Sequence, residues 1–174
     1  IVEGWVHQYA ADAAVQEFGS RPYQRVFTTG GPVTGSGVYT NDQNTAASVG
    51  AGLLRKAGVA TEFVQMVPSH VIGRDRTYSS AIALRDWSRT NHVELRAINV
   101  ATFDAHARRS RLLFQKAFGP DVKVGIISLA NDSYDTKRWW LYSEGFKEVL
   151  SEGAAYFYAR LLFYPETVQH ARNK

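Results

Sequence analysis

The residues best suited to chemistry cluster around His106. Residues 102–111 read Thr-Phe-Asp-Ala-His-Ala-Arg-Arg-Ser-Arg and begin where a very apolar run ends. Thr102 and Asp104 are predicted to cap a helix, which places His106 in its first turn and Arg109 about one turn further along nearly the same face. A helix N-terminus favours the neutral imidazole, which can give or take a proton, and a planar guanidinium suits phosphate or carboxylate. We predict His106 and Arg109 as catalytic residues; the alternative is a capping histidine beside solvated arginines.

Two other segments carry groups that bind anions. A Gly-Gly turn follows the second predicted strand, where glycines let backbone N–H groups approach a ligand. An Arg-Asp-Arg-Thr stretch opens a predicted helix, whose positive N-terminus attracts an anion. The predicted ligand-binding residues are Gly30, Gly31, Arg74, Arg76, Thr77 and Thr102. The alternatives are a flexible surface turn and a helix capped by Asp75, with both of its arginines solvated.

Several common chemistries are excluded or disfavoured. Cysteine is absent, which excludes disulfides, thiolate zinc sites and cysteine nucleophiles. No pair of histidines or carboxylates has metal-ligand spacing, so we predict no metal, and no Gly-x-Ser-x-Gly elbow occurs. The glycine-rich residues 28–37 are neither a dinucleotide fingerprint nor a P-loop. Thr28 and Thr29 stand where a dinucleotide site places its acidic residue, which disfavours NAD and leaves the cofactor unknown.

A further cluster combines charge with aromatic rings. Lys137, Arg138, Trp139 and Trp140 follow the fifth predicted strand. Tandem tryptophans beside cations are able to stack on a base or a sugar ring. They are equally able to lock the last helix onto the sheet, and we favour this packing role.

Hydrophobic patterning supplies the elements that would bring these residues together. Strands are predicted at 1–3, 25–29, 61–67, 94–101 and 122–129, and they alternate with helical patterns. Because parallel strands need crossover helices, we predict an α/β fold of three layers, with a mostly parallel sheet of about five strands and helices on both faces. Ligands of such sheets bind at the carboxyl ends of the strands, which is where the predicted site residues fall.

The last predicted helix is amphipathic. Its apolar stripe consists of Phe146, Val149, Leu150, Gly153, Ala154, Phe157 and Leu161. Such a stripe is typical of a helix face that packs on a core. Five further apolar residues lie outside the stripe: Tyr156, Tyr158, Leu162, Phe163 and Tyr164. For these we favour packing under the sheet, with contact to a membrane or to a second subunit as the alternative.

Composition indicates one globular domain over residues 1–174. Hydrophobic residues make up 45% and charged residues 21%, and the net charge of +4 is too small to indicate a nucleic-acid partner, so we predict none. No run of about 18 apolar residues occurs, so no membrane span is predicted. The chain opens at Ile1 rather than methionine, which is compatible with a removed anchor or signal segment and with peripheral or anchored membrane association.

The order of these pieces resembles the bacterial YdcF/SanA/ElyC family over nearly the whole chain. The resemblance rests on a strand and Gly-Gly turn at 26–31, a helix ending at 53–59, an Arg-Thr helix start at 76–77 and a His-x-x-Arg after a strand. The most similar subgroup begins with a Glu-Gly-Trp stretch, here residues 3–5, and carries Arg-Asp-Arg-Thr. The resemblance implies a Rossmann-like fold and a pocket lined by Gly30, Gly31, Thr77, His106 and Arg109.

The same resemblance implies a place in the bacterial cell envelope, periplasmic or membrane-anchored, with the cytoplasm as the alternative. Family members are tied to envelope polysaccharides, and some are described as binding S-adenosylmethionine. Methyltransferases of this fold usually hold the ribose with an acidic residue, which Thr28 and Thr29 do not supply. The family also places an acidic residue in the helix after the glycine turn, where this chain has Ala47 and Ser48. This departure predicts an altered or weakened activity.

Two functions follow as expectations. The first is binding, with hydrolysis or transfer, of an anionic envelope metabolite such as a phosphorylated or lipid-linked sugar. In that case His106 is the acid or base and the arginines stabilise phosphate charge. The alternative is a non-catalytic module that binds a small molecule such as a nucleotide or S-adenosylmethionine. The sequence leaves the ligand, the oligomeric state and enzymatic activity open.

Overall fold

The computed structural model describes residues 1–33, 39–130 and 133–165. Its core is a five-stranded sheet whose strand pairs are all parallel, in the order β3-β2-β1-β4-β5. The strands are β1 (Val2–Glu3), β2 (Val26–Gly30), β3 (Val64–Pro68), β4 (Ala97–Phe103) and β5 (Lys123–Leu129). The predicted parallel α/β sheet is therefore confirmed.

Five α-helices cover both faces of this sheet. They are α1 (Gln8–Ser20), α2 (Ala46–Lys56), α3 (Arg76–Thr90), α4 (Asp104–Phe118) and α5 (Ser143–Leu161). Short 3-10 turns occupy Asp42–Asn44, Thr61–Phe63 and Thr136–Leu141. Buried residues of α1 and α2 form one hydrophobic core and those of α3, α4 and α5 form a second. The three layers of the Rossmann-like fold are thus present.

The strand order creates a crevice between β1 and β4. From β1 the chain moves outward through β2 to β3, and α3 then carries it back across the sheet to β4 on the other side. The connections after β1 and β4 consequently leave in opposite directions. Open α/β sheets bind ligands at such a point.

The boundary of β4 differs from the prediction. Pairing with β5 continues through Thr102 opposite Ser128 and Phe103 opposite Leu129, so the strand ends at Phe103. Phe103 is the residue before the first turn of α4 and offers no side-chain cap. The predicted capping by Thr102 and Asp104 is therefore wrong. Thr102 pairs with β5 as part of the strand, and the side chain of Asp104 accepts a hydrogen bond from Ser128.

The expected burial of the apolar stripe of α5 is also wrong. Phe146, Leu150, Phe157 and Leu161 are exposed, and the buried positions of this helix are Gly145 and Ala159 on its other side. The helix packs against α4 with that second face, so its apolar stripe points outward.

The residues outside the stripe behave differently from one another. Phe163 packs against the core of α3 and α4, as predicted, with its ring 5.1 Å from that of Tyr78. Tyr158, Leu162 and Tyr164 are exposed, which contradicts the prediction that they pack under the sheet.

The tandem tryptophans also differ from each other. Trp140 is 57% exposed, which contradicts the packing role predicted for it. The ring of Trp139 lies 6.2 Å from that of Phe146 at the start of α5. No helix in the described ranges has the length and apolarity to cross a bilayer.

The start of α2 lies directly against the ends of β1 and β2. A Cβ added to Gly4 would lie 2.0 Å from the carbonyl oxygen of Ala46, and one added to Gly50 would lie 2.7 Å from Cα of Gly4. Gly30 has a φ of +154°, and its Cβ would lie 2.7 Å from that of Ala46. Only glycine permits this approach of helix and strands.

We predict that Gly4→Ala destabilises the fold by at least about 2 kcal/mol, since the new methyl group meets backbone rather than a movable side chain. Urea unfolding measures the change. The matched control is Gly52→Ala in α2, where an added Cβ meets nothing within 4 Å and alanine should stabilise the helix by about 0.5–1 kcal/mol. Equal stability of the two variants would contradict the close approach.

Candidate functional site

A cavity of about 520 Å³ opens at the carboxyl ends of the strands. It is lined by the ends of β1 and β2 and by residues of α3, α4 and α5. Six of the eight predicted site residues line it: Gly30, Gly31, Arg76, Thr77, His106 and Arg109. Stretches far apart in the chain therefore meet at one rim, as the strand order requires.

The other two predicted residues do not line this cavity. Arg74 is exposed on the loop before α3. Thr102 is fully buried within β4, and its hydroxyl makes no hydrogen bond within the described part of the chain. Thr102 lies away from the cavity because β4 continues to Phe103, which places Thr102 within the sheet instead of at its rim.

His106 and Arg109 are joined by a carboxylate from α5. Nδ1 of His106 lies 2.8 Å from Oε1 of Glu152, and Nε of Arg109 donates to Oε2 at 2.7 Å. The Nη2 atom of Arg109 also donates to Oε1 at 3.1 Å and lies 2.6 Å from Nε2 of His106. All three side chains are less than a fifth exposed. Such a buried bidentate pair fixes both side chains in place.

These partners assign the tautomer of the imidazole. A carboxylate only accepts, so Nδ1 of His106 carries the hydrogen, and a guanidinium only donates, so Nε2 accepts. His106 lies in the first turn of α4, as predicted. Both ring nitrogens are engaged within the protein, an arrangement that the sequence pattern did not predict.

Glu152 has a strongly displaced pKa. Desolvation by burial raises it, but the hydrogen bonds from His106 and Arg109 and their charges outweigh burial and bring the pKa down from 4.5 to about 2. The carboxylate is therefore ionised at all ordinary pH values and offsets the charge of Arg109.

A second buried carboxylate stands at the end of the central strand. Glu3 is only 3% exposed, lines the cavity and accepts a hydrogen bond of 2.7 Å from the hydroxyl of Ser110. A buried carboxylate beside one neutral donor keeps acceptor capacity for a ligand. The sequence pattern drew attention to Glu3 only as part of the Glu-Gly-Trp stretch; its position at the end of β1 is the signal that could have identified it.

The end of β2 offers a free hydroxyl next to the glycine turn. Thr29 lines the cavity, is 1% exposed, and its Oγ1 has no hydrogen-bond partner within the described residues. A buried hydroxyl without a partner is costly, so a bound molecule is a natural partner for it. Residues 34–38 of the glycine-rich segment lie outside the described residues.

The N-terminus of α3 faces the same cavity. Asp75 precedes the helix in the left-handed conformation, with φ of 58°, and its side chain does not cap the first turn. The predicted capping by Asp75 is therefore wrong. Arg76, Thr77 and Ser80, all in the first turns, line the cavity. Uncapped N–H groups and the guanidinium of Arg76 favour an anion at this end of the site, where the carboxylate of Asp75 offsets part of their charge.

An aromatic and apolar wall completes the cavity. Trp5 lines it, is 38% exposed and has its ring 4.8 Å from that of His106. Leu113, Tyr158 and Phe163 contribute apolar surface. Trp5, rather than the tandem tryptophans, is the tryptophan beside the cavity.

The position where the similar family has a carboxylate is used here for packing. Ala47 is fully buried, and its carbonyl oxygen accepts a hydrogen bond of 2.8 Å from Thr28. The hydroxyl of Ser48 donates a hydrogen bond to the side chain of Gln43, and neither residue lines the cavity. The acidic residues that line the cavity are instead Glu3 in β1, Asp75 before α3 and Glu148 in α5.

Fold and site together define an α/β protein of three layers with a ligand cavity at the switch point of a parallel sheet. Comparison with protein-family models, with curated proteins and with solved structures finds no match. The resemblance to the YdcF/SanA/ElyC family therefore stays a prediction. Within the described residues, no group of three metal-binding side chains comes together.

We predict that Glu152→Gln lowers stability at neutral pH and that this loss fades in acid. A carboxylate whose pKa is depressed on folding stabilises fully above its ordinary value of 4.5, and the effect is lost as the pH falls towards about 2. The loss should reach at most about 3 kcal/mol above pH 5. Urea unfolding between pH 7 and pH 2 measures it.

The exposed Glu62 provides the control for this pH series, because Glu62→Gln removes a carboxylate from a solvated turn. It should change the free energy of unfolding by less than about 0.5 kcal/mol at any pH. If Glu152→Gln has the same effect at pH 3 as at pH 7, the ion pair is not what holds α5 to α4.

Proposed function

We propose that the cavity binds a small phosphorylated metabolite rich in hydroxyl groups, of the kind represented by a sugar phosphate. The observation that carries the proposal is the pairing of two unlike ends in one cavity. One end is positive and rich in N–H donors, and the other presents buried hydrogen-bond acceptors. A phosphate suits the first end and sugar hydroxyls suit the second.

The phosphate-binding end is formed by the start of α3. The first N–H groups of this helix have no side-chain cap from Asp75. Arg76 supplies a guanidinium, and Thr77 supplies a hydroxyl at the rim. An anion at an uncapped helix N-terminus next to an arginine gains from both the helix dipole and charge-assisted hydrogen bonds.

The hydroxyl-binding end lies at the carboxyl ends of β1 and β2. The Glu3 carboxylate accepts hydrogen bonds, and the Thr29 hydroxyl both donates and accepts. Ionised Glu3 would repel a second phosphate, so this end favours neutral hydroxyls. Trp5 offers a ring face of the kind that packs against a sugar.

The size of the cavity supports a ligand of this class. At about 520 Å³ it lies within the range of about 300–1,000 Å³ that is typical of small-molecule sites. The envelope location and the polysaccharide connection remain part of the proposal through the family resemblance alone.

The His106–Glu152 pair favours a second candidate function, which is hydrolysis or transfer at the phosphate. A carboxylate that holds Nδ1–H orients an imidazole so that Nε2 can act as a general base. In this structure Nε2 is occupied by Arg109. A bound phosphate would compete for the guanidinium and release Nε2 to take a proton from an attacking water or hydroxyl.

We predict that Arg76→Ala weakens binding of a sugar phosphate at least about 10-fold, because one charge-assisted hydrogen bond is worth about 1.5–3 kcal/mol. Isothermal titration calorimetry with a panel of hexose phosphates measures the affinity. The control is Arg74→Ala, which removes an equal charge two residues away but outside the cavity and should change affinity less than about 2-fold. If both variants weaken binding equally, Arg76 contributes only long-range electrostatic attraction and does not contact the phosphate.

A second variant separates the two ends of the same site. Thr29→Val keeps the shape of the side chain and removes only the unpartnered hydroxyl. It should weaken binding of the sugar phosphate while leaving inorganic phosphate unaffected, and it should not lower the melting temperature. A matching loss for both ligands would place the phosphate, rather than the sugar, at β2.

For the second candidate function, we predict that His106→Ala lowers the rate of sugar-phosphate turnover about 100-fold or more. The affinity of the protein for the sugar phosphate should change little. Phosphate release measured with purified protein is the assay. Turnover that survives the substitution would remove His106 from the chemistry and leave the cavity as a binding site.

A further inference from the structure

The helix α5 presents an apolar face to solvent. Phe146, Leu150, Phe157 and Leu161 are 48%, 52%, 63% and 58% exposed. The opposite face of the same helix makes the contacts within the chain, including the ion pair of Glu152 with Arg109. Among the described residues, Trp139 lies beside Phe146 at one end of the outward face, with ring centroids 6.2 Å apart. The four large side chains still remain about half exposed, although the composition of the face is that of a buried one.

The spacing of large and small apolar residues along this face is the same from either end, although the residue types are not. Gly153 and Ala154, two small residues, stand at its centre. Leu150 and Phe157 flank them at equal distances along the chain. Phe146 and Leu161 follow as the outer pair and complete the mirrored arrangement. An interface between two identical chains about a twofold axis needs a surface complementary to itself, which a mirrored helix face provides in an antiparallel pair.

Nothing in the described part of the chain explains the glycine at position 153. It lies inside a 19-residue helix, where glycine is less favourable than alanine. A Cβ added there would meet nothing within 4 Å. A small residue at the centre of an exposed apolar helix face is what a second helix needs in order to approach closely.

The exposed apolar surface is large enough for a stable contact. Trp140, Leu141 and Tyr142 before the helix and Leu162 and Tyr164 after it are between 42% and 69% exposed. With the four stripe residues they expose on the order of 1,000 Å², taking about 150–250 Å² for each side chain. This is a total over separate side chains; covered together by one partner, they would supply about the 800 Å² that each side contributes to a stable interface.

We propose that α5 pairs antiparallel with α5 of a second copy of this chain, about a twofold axis between Gly153 and Ala154. Leu150 would then face the partner's Phe157, and Phe146 would face the partner's Leu161. A membrane surface requires an apolar face but neither the central glycine nor the mirrored order, so a second copy explains more of the observations. The proposal is independent of the ligand proposed above.

The pairing is tested first by light scattering and sedimentation across micromolar protein concentrations. The wild-type chain should be a dimer. Gly153→Leu, which blocks close approach, and the double variant Leu150→Glu with Phe157→Glu should be monomers with unchanged far-ultraviolet circular dichroism. The matched control is Gly52→Leu, the same change at an exposed helical glycine with open space around it, which should remain dimeric.

Single cysteines then test the antiparallel register, since the chain has no cysteine of its own. Ala154→Cys should form a disulfide dimer rapidly on mild oxidation because it lies next to the axis. Phe146→Cys alone should not, because its symmetry mate would lie about 22 Å away along the helix axis, beyond the reach of about 7 Å between Cα atoms. Mixed with Leu161→Cys, it should form the disulfide between the two variants.

Three results would overturn the proposal. One is a wild-type chain that remains monomeric at every concentration. Another is a dimer that survives both Gly153→Leu and the double glutamate variant, which would place the interface elsewhere. The third is a monomer that binds phosphatidylglycerol–phosphatidylethanolamine vesicles and loses this binding in the double variant, which would assign the face to a membrane surface.

Discussion

The near-contact between α2 and the ends of β1 and β2 is the constraint on which the rest of the site depends. Gly4, Gly30 and Gly50 leave no side chains between the backbones, so the helix lies on the strand ends at a separation that no larger residue allows. The parallel register, with Glu3 opposite Thr29, puts the carboxyl ends of β1 and β2 at one level beside this contact. Both Glu3 and Thr29 line the cavity there, and each is followed by one of the glycines.

The ion pair of Glu152 then decides the electrostatic character of the cavity. A free Arg109 beside a free His106 would make the whole rim positive. With the Glu152 carboxylate held between them, the charge of Arg109 is offset, and the other arginine of the cavity lining is Arg76 at the start of α3, beside Asp75. Burial magnifies such local differences because water does not screen them fully. The proposed difference between the two ends of the cavity therefore depends on the contacts of His106 and Arg109 on α4 with Glu152 on α5.

Local pattern was sufficient to predict the sheet and insufficient to predict the partners within the site. The apolar runs predicted to end at Thr29 and Ala101 located β2 and β4, whose last residues are Gly30 and Phe103, because a doubly covered parallel strand is apolar throughout. Glu152 lies 43 residues beyond Arg109, and no periodicity relates them. The register of β4 depended on pairing with β5, so Thr102 was placed at the rim although it lies in the ladder. Tertiary pairing, rather than propensity, set each of these positions.

The outward stripe of α5 has the same origin. A helix that lines a ligand cavity buries polar and small residues, here Glu148, Glu152, Ala155 and Ala159, and hydrophobicity alone does not mark that face as buried. The larger apolar side chains then fall on the opposite face, and an amphipathic pattern points in the wrong direction. Burial of apolar surface still governs where those side chains end up, because leaving on the order of 1,000 Å² in water is unfavourable. The same helix thus has two faces to bury, one towards its own cavity and, in the proposed dimer, one towards a second chain.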